Sequence, residues 1–194
     1  MPKEINGLPL HPLVVHAVVV LVPLTALIAV LFLVPRFRRS LRWPLVVLAL
    51  VSLASTFVAR QSGLNLKKVL VPPPPPGTEA APNPLLDAID RHQHLANQLW
   101  YIVIAFVIVV LIAAYVLRPD DELGPFPGRL GDPDDEEGAT TLDSVIRAVV
   151  AALVIVGAVA VVVQTVRTGE QGSKAVWNPT GDVDYGLVQV VGSP

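Results

Sequence analysis

The stretch LVVHAVVVLVPLTALIAVLFLV, from Leu13 to Val34, decides the fold class of this chain. It is almost wholly apolar and slightly exceeds the roughly 20 residues that a helix needs to cross a bilayer. Two further runs, 99–117 and 145–166, also reach that length, and a shorter run, 45–59, carries small hydroxyl residues that suit close helix packing. The sequence therefore predicts four membrane-spanning helices, over about residues 13–34, 44–60, 97–117 and 144–167.

The composition supports an integral membrane protein and excludes several other classes. Of 194 residues, 53% are hydrophobic and 15% are charged, whereas ordinary soluble domains carry about 25% charged residues. The net charge of −2 argues against a nucleic-acid-binding protein, and the absence of cysteine excludes disulfides, iron–sulfur ligation and thiolate zinc sites. We therefore expect an all-α, polytopic protein whose four helices form an antiparallel bundle in the lipid bilayer of the cell membrane.

Arginines between the first two spans set the expected orientation. Arg36, Arg38, Arg39 and Arg42 have no acidic residue among them, and the positive-inside rule places such a loop in the cytoplasm. Both termini are then expected on the extracytoplasmic side. The first span lacks a basic region before it and a small-residue cleavage site after it, so we expect it to stay in the protein rather than act as a signal peptide.

The segments outside the spans are expected to lack a packed core. The consecutive prolines Pro72 to Pro76 predict a stiff polyproline II spacer. Residues 119–143 combine many acidic residues with Gly and Pro, lack the ligand spacing of an EF-hand, and are predicted to form a disordered loop. The predicted membrane domain covers residues 1–177, and residues 178–194 form a C-terminal tail.

All four histidines fall at the predicted starts of helices 1 and 3, which lie on the same side of the membrane because two crossings separate them. His11 and His16 open helix 1, and His92 and His94 open helix 3. Pro12 suits the first helical turn, which puts His11 at the cap and His16 on the regular helix. An ionisable side chain inside an apolar run is costly without a partner, so His16 is the candidate ligand from helix 1.

Polar residues on helix 3 repeat every three or four positions and predict one stripe, formed by Asp87, Asp90, His94, Asn97 and Tyr101. His94 belongs to the stripe and His92 does not. Asp90 lies one turn before His94, where a carboxylate can hold the second ring N–H of a ligating histidine. We therefore expect His16 and His94 to bind a cofactor or metal ion, supported by Asp90, Asn97 and Arg60.

A second interpretation of these residues stays open. Histidine and arginine at helix ends can be interfacial anchors, and Asn97 and Tyr101 can serve as interhelical hydrogen-bonding residues. The sequence shows no resemblance to a Ser/His/Asp triad, a Walker loop or a dinucleotide-binding motif, so we expect no hydrolytic or phosphoryl-transfer activity and do not predict an enzyme.

Four motifs together carry a family resemblance: the opening His11-Pro12-Leu13-Val14-Val15-His16, a Ser62-Gly63 turn after helix 2, the Asn83-Pro84-Leu85 entrance of helix 3, and the closing segment Gly169 to Trp177. Over about residues 8–177 the chain resembles a family of short bacterial membrane domains with four helices and no assigned function. Members are sometimes fused to Rieske iron–sulfur domains, which implies a place near respiratory electron transfer. The closing motif of relatives often reads Gly-His-Ser-Gly, whereas Glu170 and Gln171 stand here in place of that His and Ser.

Two functions compete on this basis. The first hypothesis is a non-catalytic b-type haem or metal-binding redox module, with His16 and His94 as axial ligands and a redox partner protein. The alternative is an accessory or structural subunit of a membrane complex, such as a respiratory complex, with the loops and tail as contact surfaces. A quinone pocket using His94 and Arg60 is a third hypothesis and has no motif of its own.

Overall fold

The computed structural model describes residues 4–5, 8–70, 83–117, 136–180 and 182. Nearly all of them belong to four long helices, namely α1 (Leu10–Phe32), α2 (Pro35–Leu70), α3 (Pro84–Val116) and α4 (Glu136–Trp177). A two-residue antiparallel pair, β1 (Glu4–Ile5) and β2 (Leu8–Pro9), precedes α1. Each helix contains a window long and apolar enough to cross a membrane, which confirms the predicted bundle of four spans.

The helices extend further than the apolar runs predict. Helix α2 begins at Pro35, directly after α1, so the arginine-rich loop is instead the first part of a helix. It continues through Gly63, where the sequence predicts a turn, to Leu70. Helix α3 begins at Pro84, because the side chain of Asn83 caps it by accepting hydrogen bonds from the first backbone N–H groups.

The predicted loops fall partly inside helices and partly outside the described residues. Helix α4 begins at Glu136, within the range of the predicted loop 119–143. Residues 119–135, the proline spacer Pro72 to Pro76 and most of the predicted tail lie outside the described residues.

The core lies along the axis of a closed ring of helices, in which each helix packs against the helices before and after it. Its most deeply buried side chains include Phe32, Leu45, Val110 and Val161. Large apolar side chains also cover the outer surface, as expected of helices that contact lipid. Because successive helices run in opposite directions, the starts of α1 and α3 and the ends of α2 and α4 meet at one end of the bundle.

The two hairpins, α1–α2 and α3–α4, repeat one pattern of buried positions. Val18, Val22 and Ala29 of α1 have the spacing of Leu99, Val103 and Val110 of α3. In the same way, the buried positions Leu45, Ala49 and Ala59 of α2 have the spacing of Val154, Ala158 and Thr168 of α4. The two hairpins therefore present equivalent faces to the interior of the bundle and form an internal repeat.

Candidate cofactor site between two histidines

A cavity of about 350 Å³ lies at the end of the bundle where α1 and α3 begin. All four helices line it, mainly with apolar side chains, and its polar lining includes Thr56, Arg60, Asn97 and Thr165. A largely apolar cavity with a few placed polar groups, in this range of volumes, is typical of a ligand-binding site.

His11 and His92 both line this cavity and lie close together. Their ring centroids are 6.2 Å apart, and the ring planes make an angle of 73°. His11 lies two helical turns before Val18, and His92 lies two turns before Leu99. The two rings therefore occupy equivalent positions of the repeated hairpins, one from each half of the chain.

The backbone fixes the tautomer of both rings. Nδ1 of His11 donates to the carbonyl oxygen of Ala59 at 2.9 Å, and Nδ1 of His92 donates to the carbonyl oxygen of Thr168 at 3.0 Å. A carbonyl oxygen can only accept, so each Nδ1 carries a proton and, in the neutral ring, Nε2 keeps its lone pair. This is the arrangement found around histidines that bind metals through Nε2.

A glycine packs against each of the two rings. A Cβ atom on Gly63 would lie 2.9 Å from Cε1 of His11, and one on Gly172 would lie 3.0 Å from Cε1 of His92. Gly63 lies one turn after Ala59, and Gly172 lies one turn after Thr168. Each hairpin thus holds its histidine with one carbonyl oxygen and one glycine, which lets the helix backbone approach the ring closely.

The structure does not bring His16 and His94 together. His16 is exposed, lies at the margin of the cavity, and its Nδ1 donates to the carbonyl oxygen of Pro12 at 2.6 Å on its own helix. His94 is exposed, accepts a hydrogen bond from Nε2 of Gln98 at 3.1 Å, and does not line the cavity. Asp90 does not contact His94 as expected but forms an ion pair with Lys67 of α2.

The expectation that His94 rather than His92 faces the bundle interior is wrong. The inward face of α3 is an apolar face on which Ala88, Leu99 and Val103 are buried, and His92 continues it at helical spacing. The predicted polar stripe lies to one side, where Asp90 and the neighbouring Gln93 contact Lys67. Extending the apolar stripe towards the start of the helix would have identified His92, because it lies one turn after Ala88 and two turns before Leu99.

Two of the other predicted residues, Arg60 and Asn97, do line the cavity. Nε of Arg60 donates to Oδ1 of Asn97 at 2.9 Å, a contact that joins α2 to α3. This bond uses one of the five N–H donors of the guanidinium group. Among the residues that the structure describes, no carboxylate forms an ion pair with Arg60.

Comparison with known proteins gives a family and no activity. A family model described as "Predicted membrane protein (DUF2231)" matches residues 7–184, which is most of the chain and includes His11 and His92. Searches of curated proteins and of solved structures gave no match.

Proposed function

The chain belongs to the DUF2231 family of predicted membrane proteins, and from the geometry of its cavity we propose that it is a non-catalytic redox module that binds b-type haem between His11 and His92. The observation that carries this proposal is the 6.2 Å separation of the two ring centroids. A metal–imidazole bond is about 2.0 Å and the ring centre lies about 1 Å beyond the nitrogen, so two rings on opposite sides of one metal ion have centroids about 6 Å apart.

The number of donors favours a macrocycle over a bare ion. Zinc bound by a protein takes three or four side-chain ligands. Within the described ranges, no group of three His, Asp or Glu residues is placed so that it could hold a metal ion. A haem iron already has four equatorial nitrogens, so two axial histidines complete its coordination. Facing helices of a bundle commonly supply such ligands.

His11 and His92 would hold the group through their Nε2 lone pairs. The carbonyl oxygens of Ala59 and Thr168 accept hydrogen bonds from Nδ1 and keep the two rings in position. Bound haem supplies reversible one-electron transfer. With both histidines engaged in holding the group, the site would suit electron transfer to a redox partner better than catalysis.

The side of the membrane follows from the arginines at the opposite end of the bundle. Arg36, Arg38, Arg39 and Arg42 lie at the start of α2, away from the end at which His11 and His92 meet. By the positive-inside rule, the arginine end is cytoplasmic and the haem site faces the extracytoplasmic side.

An optical spectrum of the purified protein, oxidised and then reduced with dithionite, tests the proposal. We expect a Soret band and split α and β bands in the wild type, and their loss in His11→Gln and His92→Gln. His16→Gln and His94→Gln are matched controls on the same two helices and should keep the spectrum. If these two controls lose the spectrum instead, His16 and His94 are the ligands and the choice of His11 and His92 is wrong. If the wild-type protein contains neither haem nor another metal and purifies together with other membrane subunits, the accessory-subunit role is favoured.

A further inference from the structure

The site has a charged edge on only one side. At the position of Arg60 on α2, the repeated hairpin carries Gly169 on α4, and at the position of Lys67 it carries Val176. Arg60, Lys67, Gly169 and Val176 all line the cavity. The cavity therefore has cationic groups at its α2 edge and small or apolar residues at its α4 edge.

The two cationic side chains, Lys67 and Arg60, differ in their hydrogen-bond and ion-pair partners. Lys67 contacts the carboxylate of Asp90 and donates to Oε1 of Gln93 at 3.0 Å, so its charge is compensated. Among the described residues, Arg60 donates a hydrogen bond only to a neutral amide oxygen, Oδ1 of Asn97, through Nε at 2.9 Å. Half-buried beside an apolar cavity, a guanidinium without a carboxylate partner in the described part of the chain is costly. A ligand that brought a carboxylate to this edge would remove that cost.

The opposite edge has room for an apolar group. A Cβ atom on Gly169 would meet no other atom within 4 Å. A macrocycle held at its centre by His11 and His92 would extend towards α2 on one side and towards α4 on the other, since these helices flank the line that joins α1 and α3.

Resting on the proposed function, we propose that Arg60 binds the carboxylate side chains of the tetrapyrrole and so fixes which edge of the macrocycle faces α2. Its two terminal guanidinium nitrogens can donate to a carboxylate while Nε keeps its bond to Asn97. The edge of the macrocycle without carboxylates then faces Gly169 and the apolar end of α4.

The test compares the binding of haem with that of its dimethyl ester, in which both carboxylates are blocked, by titrating haem-free protein in neutral detergent. A hydrogen-bonded charge pair of this kind corresponds to about a tenfold or greater preference for the free acid. We expect this preference in the wild type and in Arg167→Gln, an exposed arginine of α4 that does not line the cavity. Arg60→Gln should bind both pigments about equally.

Each other outcome has a definite meaning. If both pigments give the bis-histidine spectrum and Arg60→Gln keeps the preference for the free acid, this inference is wrong and the proposed function stands. If neither pigment gives that spectrum in the wild type, both this inference and the proposed function are wrong. If Arg60→Gln binds neither pigment, Arg60→Lys replaces it and must retain the preference. If the effect of Arg60→Gln appears only in vesicles of anionic lipid and is the same for both pigments, Arg60 binds a lipid headgroup and the inference is overturned.

Discussion

Replacing Gly172 with alanine should weaken cofactor binding while leaving the bundle intact. The new Cβ atom would lie 3.0 Å from Cε1 and 3.1 Å from Nδ1 of His92, and ordinary contacts begin at 3.4 Å. The ring must therefore move by about 0.4 Å, whereas metal–ligand distances vary by only about 0.2 Å. The displacement also moves Nδ1, which donates a hydrogen bond to the carbonyl oxygen of Thr168. Both ring nitrogens therefore change position.

The expected size of the effect is that of losing the group that orients a ligating histidine, about 10- to 100-fold in cofactor affinity. Helix stability should not decrease, because alanine is favoured over glycine inside a helix by about 1 kcal/mol in water. The measurement is the amount of haem retained per protein after purification and dilution, followed by titration of the haem-free form.

Gly169→Ala is the matched control for this prediction. It makes the same change one turn earlier on the same helix, where the added Cβ meets nothing within 4 Å and leaves His92 in place, so it should retain more haem than Gly172→Ala. Equal retention by Gly172→Ala and Gly169→Ala would show that the close packing of Gly172 against His92 does not hold the ring in a binding position, and would refute the reasoning.

Three further predictions concern topology and packing. A reporter fused after Pro194 should register on the extracytoplasmic side, and a cytoplasmic signal would reverse the orientation inferred from the arginines. The hydroxyls of Thr25 and Ser52 hydrogen-bond at 2.8 Å inside the bundle, so a double-mutant cycle with Thr25→Val and Ser52→Ala should give a coupling of about 0.6 kcal/mol in an unfolding assay, with zero coupling as the contrary result. Gly157→Ala would place a Cβ atom 2.7 Å from the buried ring of Phe106 and should destabilise the bundle by about 1–3 kcal/mol without altering the haem spectrum, so normal stability would contradict it.

The bundle could be predicted because bilayer thickness imposes a simple length criterion on apolar runs. Helix ends were harder to predict, since a helix continues past the membrane wherever its polar residues still find partners. Gly63 illustrates this: a serine–glycine pair after an apolar run is typical of a turn, yet the helix continues to Leu70 and the glycine serves close packing.

The sequence predicts that the polar residues gather at the end of the bundle where the cavity lies, but it does not predict which residues meet there. A stripe of polar residues on a helix predicts a polar inward face. In α3 the buried positions are apolar instead, and Asp90 and Asn97 make contacts to α2. The carbonyl oxygens of Ala59 and Thr168 could not be predicted as partners of the histidines, because every residue type carries a backbone carbonyl group.

Each hairpin contributes one of the two histidines, so a ligand that bridges them would couple ligand binding to the docking of the two hairpins. A ligand that bridges His11 and His92 binds the docked pair of hairpins and neither hairpin alone, so its binding free energy also holds the two halves of the chain together. At a free ligand concentration one hundred times the dissociation constant, such linkage adds about 2.7 kcal/mol to the stability of the docked state. The ligand then acts as a non-covalent crosslink, and the supply of ligand in the cell would regulate how much of the protein is fully assembled.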